Sequence, residues 1–306
     1  SMSISNQNKA YFFAATAIFF WSTVATAFKL SLEYLEPVQL VFYATIFSVL
    51  ALFLILLFQG KLKLIRRFTM ENLLHCALLA ILNPCLYYII LLHAYDILPA
   101  QEAMAINYSW VVMIIILSIP ILKQKIGMNA FLSIIISYFG VIVIATNGDL
   151  LSLQFDNPKG VIYALITTVI WALFWLFNTK HKNDTVVSLF LIFLFSLPFI
   201  TFAVLFSSSF VVPSINGFIG AAYVGLFEMG ITFVVWQSAL RMTSNVAKVT
   251  SLVFITPFLS LLMVQLFLKE VILTSTVVGI VLIICGLLLQ KFFTKRSTKP
   301  SYLDGS

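Results

Sequence analysis

Stretches of about 20 residues with almost no charge recur from one end of this 306-residue chain to the other, and no other feature constrains the fold as strongly. A helix rises about 1.5 Å per residue, so such a stretch is long enough to cross a hydrocarbon core about 30 Å thick. Candidate spans run 10–32, 38–58, 73–95, 100–122, 127–146, 160–179, 185–207, 216–240, 246–268 and 271–293, each bounded by charge, proline, glycine or a polar cluster. With 61% hydrophobic and 9% charged residues, a water-soluble fold could not hide the apolar surface. The expected fold class is an all-α membrane protein of ten transmembrane helices.

Short cytoplasmic loops collect Lys and Arg, so the basic residues predict an orientation. With the N-terminus inside, the cytoplasmic segments hold Lys9, Lys61, Lys63, Arg66, Arg67, Lys123, Lys125, Lys180, Lys182, Arg241 and the tail residues Lys291, Lys295, Arg296 and Lys299. The outer loops keep Lys159 and Lys269 beside Glu33, Glu36, Asp149 and Asp156. Both termini are thus expected in the cytoplasm, in a multi-pass protein of the inner (plasma) membrane. The net charge of +7 then reflects topology and attraction to anionic headgroups rather than nucleic-acid binding. The first segment lacks a small-residue cleavage site and is followed at once by further spans, unlike a cleavable signal. Cys76, Cys85 and Cys285 fall inside predicted helices without motif spacing, which predicts buried small hydrophobes and neither disulfide nor metal site.

The two halves resemble each other. A shift of about 145 positions sets LHAYDILPAQEAMAIN (92–107) on QSALRMTSNVAKVTSL (237–252), and Ser133 and Gly140 on Gly279 and Gly286 with one residue of slippage. At a shift of about 150, Trp21 falls on Trp171. Five spans per half is an odd number, so the halves would lie in opposite orientations across the membrane. The expected organisation is a first repeat at 10–146, an outer linker at 147–159, a second repeat at 160–293 and a cytoplasmic tail at 294–306.

On these residues the chain resembles the drug/metabolite transporter superfamily, EamA type, over nearly its whole length. The resemblance is carried by FFWSTVATAFKL (19–30), PAQEAMAINYSWVV (99–112), and TPFLSLLMVQLFLKE (256–270) followed by GIVLIICG (279–286). Within that superfamily EAMAINYSW is similar to the fourth helix of aromatic amino acid exporters. The resemblance implies alternating access around a central site made by spans 1, 3, 4, 6, 8 and 9, and export of hydrophobic or aromatic amino acids and their analogues.

An ionisable group inside a span is costly and is a functional candidate by default. Lys29 and Asp96 lie near span ends, where they can reach the headgroups. Glu102 opens span 4, where its charge suits a helix N-terminus or a gate. Lys248 lies near the inner end of span 9, a second candidate for coupling or gating. Glu228 sits in the middle of span 8 between Gly225 and Gly230, too deep to reach water, and is expected to bind substrate or a proton. In the aligned halves Glu228 falls on Asn83, which precedes Pro84; a proline inside a helix removes an N–H and opens the preceding turn. Interrupted helices at corresponding positions in two halves point to a transporter's site. Pro257 allows the same argument in span 9.

All five Trp residues fall within spans and aromatics make up 15% of the chain, more than two interfacial belts need. Helical spacing groups Trp171, Trp175 and Asn178 on span 6, Glu228, Thr232 and Trp236 on span 8, and Asn83 with Tyr87 on span 3. Such a cavity suits an amino acid with an apolar side chain. It equally suits uptake of a quaternary ammonium or other organic cation such as choline, with Glu228 as countercharge. The expected substrate-binding set is Trp21, Asn83, Tyr87, Asn107, Tyr108, Trp171, Trp175, Glu228 and Trp236, with Glu102, Glu228 and Lys248 in coupling or gating. No HExxH, GxSxG or P-loop is present, and His75, His93 and His181 are scattered. A gradient-driven transporter without cofactor or metal is therefore expected, not an enzyme, and a channel fits less well because the polar groups cluster at one depth. Its expected partners are a small-molecule substrate, the lipid bilayer and, through Glu228, a proton. It would act as a monomer or as a homodimer joined through the glycine-bearing spans 5 and 10.

Overall fold

A computed structural model describes residues 4–297 apart from 124, 126, 179–182, 245–248, 250 and 251, and leaves the side chains of residues 4, 5, 122 and 291–297 undescribed. The described residues form helices and connecting turns with no strand. Eight helices are long and apolar enough to cross a membrane: α1 (Asn6–Ser31), α2 (Pro37–Phe58), α3 (Met70–Ile97), α4 (Ala100–Ile121), α5 (Met128–Ala145), α6 (Pro158–Asn178), α7 (Thr185–Ser207) and α8 (Ile215–Met242). Two shorter apolar helices follow, α9 (Leu252–Leu268) and α10 (Thr274–Gln290). Helices are the natural choice because lipid offers no partner to a backbone N–H or C=O, and a helix satisfies its own.

Side-chain caps mark the starts. Glu36 and Gln39 form a reciprocal capping box ahead of Pro37 on α2. Thr69 accepts from Asn72 N, so α3 begins three residues before the expected 73. Asp184 accepts from Val186 N and Val187 N, both at 3.1 Å, and caps α7. Ser214 accepts from Gly217 N at the head of α8. Within α9, Pro257 occupies the first turn of a helix running Thr256–Met263 after a tight turn at Leu252–Ile255. It therefore starts a helix, where a missing N–H costs nothing, and the break in α9 comes later, in a widened turn at Val264–Leu268.

Polar bonds define two poles. At one, which we term the far pole, meet the end of α1 and the start of α4, the start of α2 and the end of α7, and the heads of α6 and α10. At the other, the near pole, Gln7 of α1 bonds Thr243 after α8, and Lys61 after α2 pairs with Asp184 at 3.1 Å. Burial pushes the Asp184 carboxyl up, but the Val187 N–H, Lys61 and the Val186 N–H outweigh it and hold the group below its ordinary value.

The glycines of α5 and α10 face each other. A Cβ on Gly140 would lie 2.6 Å from the carbonyl oxygen of Gly279, one on Gly279 would lie 2.7 Å from that of Gly140, and one on Gly286 would lie 2.6 Å from that of Ser133. Ser137 Oγ donates to Ile283 O at 3.3 Å across the same seam. These small-residue faces, expected to join a second copy, are spent inside the chain, which is what close backbone approach in lipid requires. Two smaller expectations also change. Cys285 is exposed on the outer side of α10 rather than buried. Lys29 turns inward instead of reaching for headgroups, donating to Tyr95 O (2.5 Å) and Leu98 O (2.8 Å).

Candidate functional site

α3 and α8 are both interrupted at the positions that the sequence singles out. In α3 the regular helix stops at Ala80, a widened turn spans Ile81–Leu86, and Asn83 takes an extended conformation (φ −145°, ψ 125°) before Pro84. Pro84 has no N–H to continue the ladder, which is why the turn opens there. In α8 the helix gives way to a widened turn at Val224–Glu228, and Gly230 (φ −129°, ψ −89°) restarts it at Ile231. Gly225 lets this turn sit against α2, because a Cβ there would run into the carbonyl of Ala44. Ser48 of α2 donates to Met229 O at 3.2 Å beside it. Widened turns of this kind are frequent at functional sites.

Glu228 and Asn83 meet across the two breaks. Tyr88, 3% exposed, donates its hydroxyl to Glu228 Oε1 at 3.1 Å. Both carboxylate and amide line a cavity of about 40 Å³ whose aromatic wall is Trp171 and Trp175, with Asn178 of α6 and Thr185 of α7 toward the near pole. Asn83 Oδ1, Trp171 Nε1 and Trp175 Nε1 are buried with no hydrogen-bond partner, although buried polar atoms are nearly always paired. Three side chains that each carry an unpaired buried polar atom, together with Glu228, thus line a space large enough for about three waters. A second cavity of about 190 Å³ shares Trp175, Asn178 and Thr185 with the first and continues past His75, Asn183 and Ser188 toward the near pole.

Tyr87 and Asn107 stand behind this wall. The Tyr87 ring packs on Trp171 with centroids 4.6 Å apart, and Trp171 meets Trp175 at 6.3 Å. Asn107 Nδ2 donates to the Tyr87 hydroxyl (3.2 Å) and to Thr167 Oγ1 (3.0 Å), tying α3, α4 and α6 together. Tyr108 caps the C-terminus of Ala100–Asn107, the first part of α4, and is half-buried against the core. Trp21 and Trp236 pair with each other, centroids 5.4 Å apart, and line neither cavity in this conformation. Trp236 packs instead with Ala14, Ala239 and Val249. The break at Gly230 changes the register of α8, so Glu228 and Trp236 do not share the uninterrupted face that helical spacing assigns them. Lys248 lies outside the described residues.

Glu102 is 5% exposed in the first turn of α4. The carboxylate that reaches the α4 N-terminus is that of Glu270, which accepts from Ala100 N (2.8 Å) and Gln101 N (3.3 Å). The Gln101 side chain completes a latch, donating to Val271 O (2.8 Å) and accepting from Leu273 N (2.9 Å) and Thr276 Oγ1 (3.0 Å). Together with Lys29 it ties α1, α3, α4 and α10 at the far pole. Glu270, Gln101 and the contribution of α7 to the cavity wall are absent from the sequence reading. The signal for Glu270 was an acid next to Lys269 at the end of an apolar run; for α7 no periodicity distinguishes a cavity face from a lipid face in so uniformly apolar a segment. Among the described residues no three His, Cys, Asp or Glu side chains come together as a metal site would need.

Comparison with known proteins agrees with this architecture. Residues 8–146 and, separately, 158–290 match the EamA-like transporter family. An uncharacterized transporter of Acidianus ambivalens is 31% identical over 171 residues, 55% of this chain and 65% of that protein. An uncharacterized transporter of Clostridium kluyveri is 25% identical over 94% of this chain and 95% of its own length. The uncharacterized transporter YoaV of Bacillus subtilis is 22% identical over 90% and 94%. A protein of known crystal structure superposes with a TM-score of 0.65 over 95% of this chain and 99% of its own, at 18% identity.

Proposed function

The chain belongs to the EamA-like transporter family of membrane transporters, and on that footing we propose that it is a secondary active transporter exporting hydrophobic or aromatic amino acids by alternating access. The observation that carries the reading is the group of unpaired polar atoms on an aromatic wall, Asn83 Oδ1 with the Trp171 and Trp175 indole N–H groups, beside the Glu228 carboxylate. Aromatic rings hold an apolar side chain, while a donor pair and an acceptor beside a carboxylate suit the two charged ends of an amino acid. At about 40 Å³ the cavity is far below the roughly 300 Å³ of a ligand-filled pocket, which fits a conformation closed around its site.

In this reading the two halves, in opposite orientations, rock about the site. The far pole is latched by Glu270, Gln101 and Lys29, and the wider cavity leads to the near pole, cytoplasmic if the N-terminus is inside. Trp171, Trp175 and Tyr87 anchor the substrate, Asn83 orients it, and Glu228 exchanges a proton. Asn107 and Tyr108 support the wall; Trp21 and Trp236 join the site as α1 and α8 move. Glu102 and Lys248 act at the gates.

Thermal stabilisation of the purified protein by a panel of amino acids and quaternary amines tests the substrate class, because a ligand that binds the folded state raises the melting temperature. Stabilisation by Phe, Tyr, Trp or Leu, followed by counterflow in liposomes, supports the reading; stabilisation by choline alone makes Glu228 the countercharge of an organic cation. Glu228→Gln should remove the pH dependence of net transport while leaving counterflow at equal pH intact, and persistence of the pH dependence would take the proton away from Glu228.

A further inference from the structure

A cavity of about 500 Å³ lies between the last turns of α1, the first half of α8 and the far end of α9, and shares no lining residue with the cavity at Glu228 or with the wider one beside it. Its lip is apolar and open: Leu30 is 40%, Ile219 63% and Phe267 64% exposed. In a chain whose helices stand in lipid, such a lip borders the bilayer, so whatever fills the groove comes from the membrane. The groove follows α1 from Ser31 down to Thr23, eight residues or about 12 Å along the helix.

Its polar groups are arranged by depth. Glu33 and Asn216 stand at the rim, at the level where α1 ends and α8 begins. Thr26 lies about 7.5 Å below Ser31, five residues along the helix. At the floor the hydroxyls of Thr23 and Tyr223 bond each other, and Thr23 also donates to Phe20 O. Helical threonines ordinarily donate to a carbonyl of the preceding turn, as Thr23 does and as Thr45 does to Val41 O. Thr26 does not: its residue is 6% exposed and its Oγ1 has no partner. A buried hydroxyl without a partner in an apolar groove calls for an acceptor on whatever occupies that groove. None of the lining residues is basic, so an occupant whose only charge is negative would meet Glu33 with nothing to offset it.

We propose that this groove binds an ethanolamine phospholipid of the far-pole leaflet. The ammonium donates to the Glu33 carboxylate at the rim, an ester carbonyl accepts from the Thr26 hydroxyl one to two turns deeper, and one acyl chain descends over Ala27, Ile219 and Met263. The order of ammonium, ester carbonyl and hydrocarbon in such a lipid matches the order of acid, donor and apolar wall in the groove, with the phosphate between the first two turned outward into the headgroup layer. A choline headgroup has no N–H to give to Glu33, and a glycerol headgroup offers no positive charge. The bound lipid would bridge α1, α8 and α9, and the assignment is independent of what the central site carries.

The test is the melting temperature of the delipidated full-length protein in detergent, measured with added phosphatidylethanolamine, phosphatidylcholine or phosphatidylglycerol, together with native mass spectrometry of the lipid that stays bound. Phosphatidylethanolamine should raise the melting temperature most and remain bound through desolvation. Glu33→Gln and Thr26→Val should each erase that preference. Ile219→Trp, at an exposed position where folding is not at stake, should fill the groove and erase it as well. Equal stabilisation by all three lipids, a preference for phosphatidylglycerol, or an ethanolamine preference that survives Ile219→Trp would overturn the assignment.

Discussion

Replacing Glu270 by Ala asks whether the far-pole latch holds the protein in its closed conformation. The carboxylate accepts from Ala100 N at 2.8 Å, at 3.3 Å from Gln101 N and at 3.2 Å from Gln101 Nε2. A hydrogen bond to a charged group contributes about 1.5–3 kcal/mol, and a negative charge at a helix N-terminus adds about 0.3–1 kcal/mol. Only the first contact is short, and water at the membrane surface can replace part of the others, so the loss to closure is about 2 kcal/mol. That is a shift of about thirtyfold in the ratio of closed to open molecules. The Gln101 side chain keeps its bonds to Val271 O, Leu273 N and Thr276 Oγ1 in this variant. Adding Gln101→Ala should therefore widen the effect by about another 1 kcal/mol per lost bond. Opening is read as the distance between spin labels at Leu151 and Val212, 101% and 89% exposed in far-pole loops, in a Cys285→Ser background because Cys285 is the exposed thiol. A distance distribution unchanged in both variants refutes the latch and returns Glu270 to the role of an ordinary helix cap.

Three further outcomes follow from named contacts. Trp171→Ala should weaken binding of a stabilising amino acid by about 1–3 kcal/mol, measured by titration, if the ring is an anchor, and an unchanged affinity makes it packing alone. Gly140→Ala should lower the melting temperature, because its Cβ would press on the backbone carbonyl of Gly279 at 2.6 Å, an overpacking that costs about 1–3 kcal/mol; an unaltered melting temperature would mean that α5 and α10 can separate freely. Asp184→Ala should cost about 1 kcal/mol through the lost α7 cap, while Asp184→Asn keeps the cap oxygen and should cost less. The Asp184 carboxyl is held below its ordinary value of 3.8 in the folded chain, so its contribution is complete above that value and disappears as pH falls through the lower folded one. The difference between wild type and Asp184→Ala in thermal melts should accordingly shrink only in strong acid, and a difference that vanishes near neutral pH contradicts the Lys61 and backbone bonding.

What sequence could read here follows from what lipid demands. Ten apolar stretches are legible because a bilayer sets helix length and forbids unpaired backbone, so the pattern repeats with little room for variation. The breaks at Asn83 and in the turn ending at Glu228 are legible for a related reason: proline and paired glycines act on the backbone of their own segment, and the result needs no neighbour. The direction in which a side chain faces is another matter. In a soluble helix polarity marks the outside, whereas in α7 both the cavity face, with Leu189 and Ile192, and the outer face, with Phe202 and Phe206, are hydrocarbon. Periodicity therefore distinguishes nothing there, and the wall that α7 contributes has no mark in the sequence.

Helical spacing groups the aromatics correctly only where a helix is unbroken. Trp171 and Trp175 lie within one unbroken helix, α6, and the spacing of four residues carries them to one cavity as a regular helix must. Glu228 and Trp236 straddle the break at Gly230, and past such a break the face count starts again. The interruptions that bring Asn83 and Glu228 to one cavity also cancel the periodicity by which the rest of each helix could be read. The far-pole latch shows a different limit. Glu270 and Gln101 are 169 residues apart, and nothing local to either distinguishes them from ordinary loop residues. Their pairing arises only when α4 and α10 begin at the same pole, which makes the latch a property of topology, and the distance between far-pole labels is the quantity that ties that topology to transport.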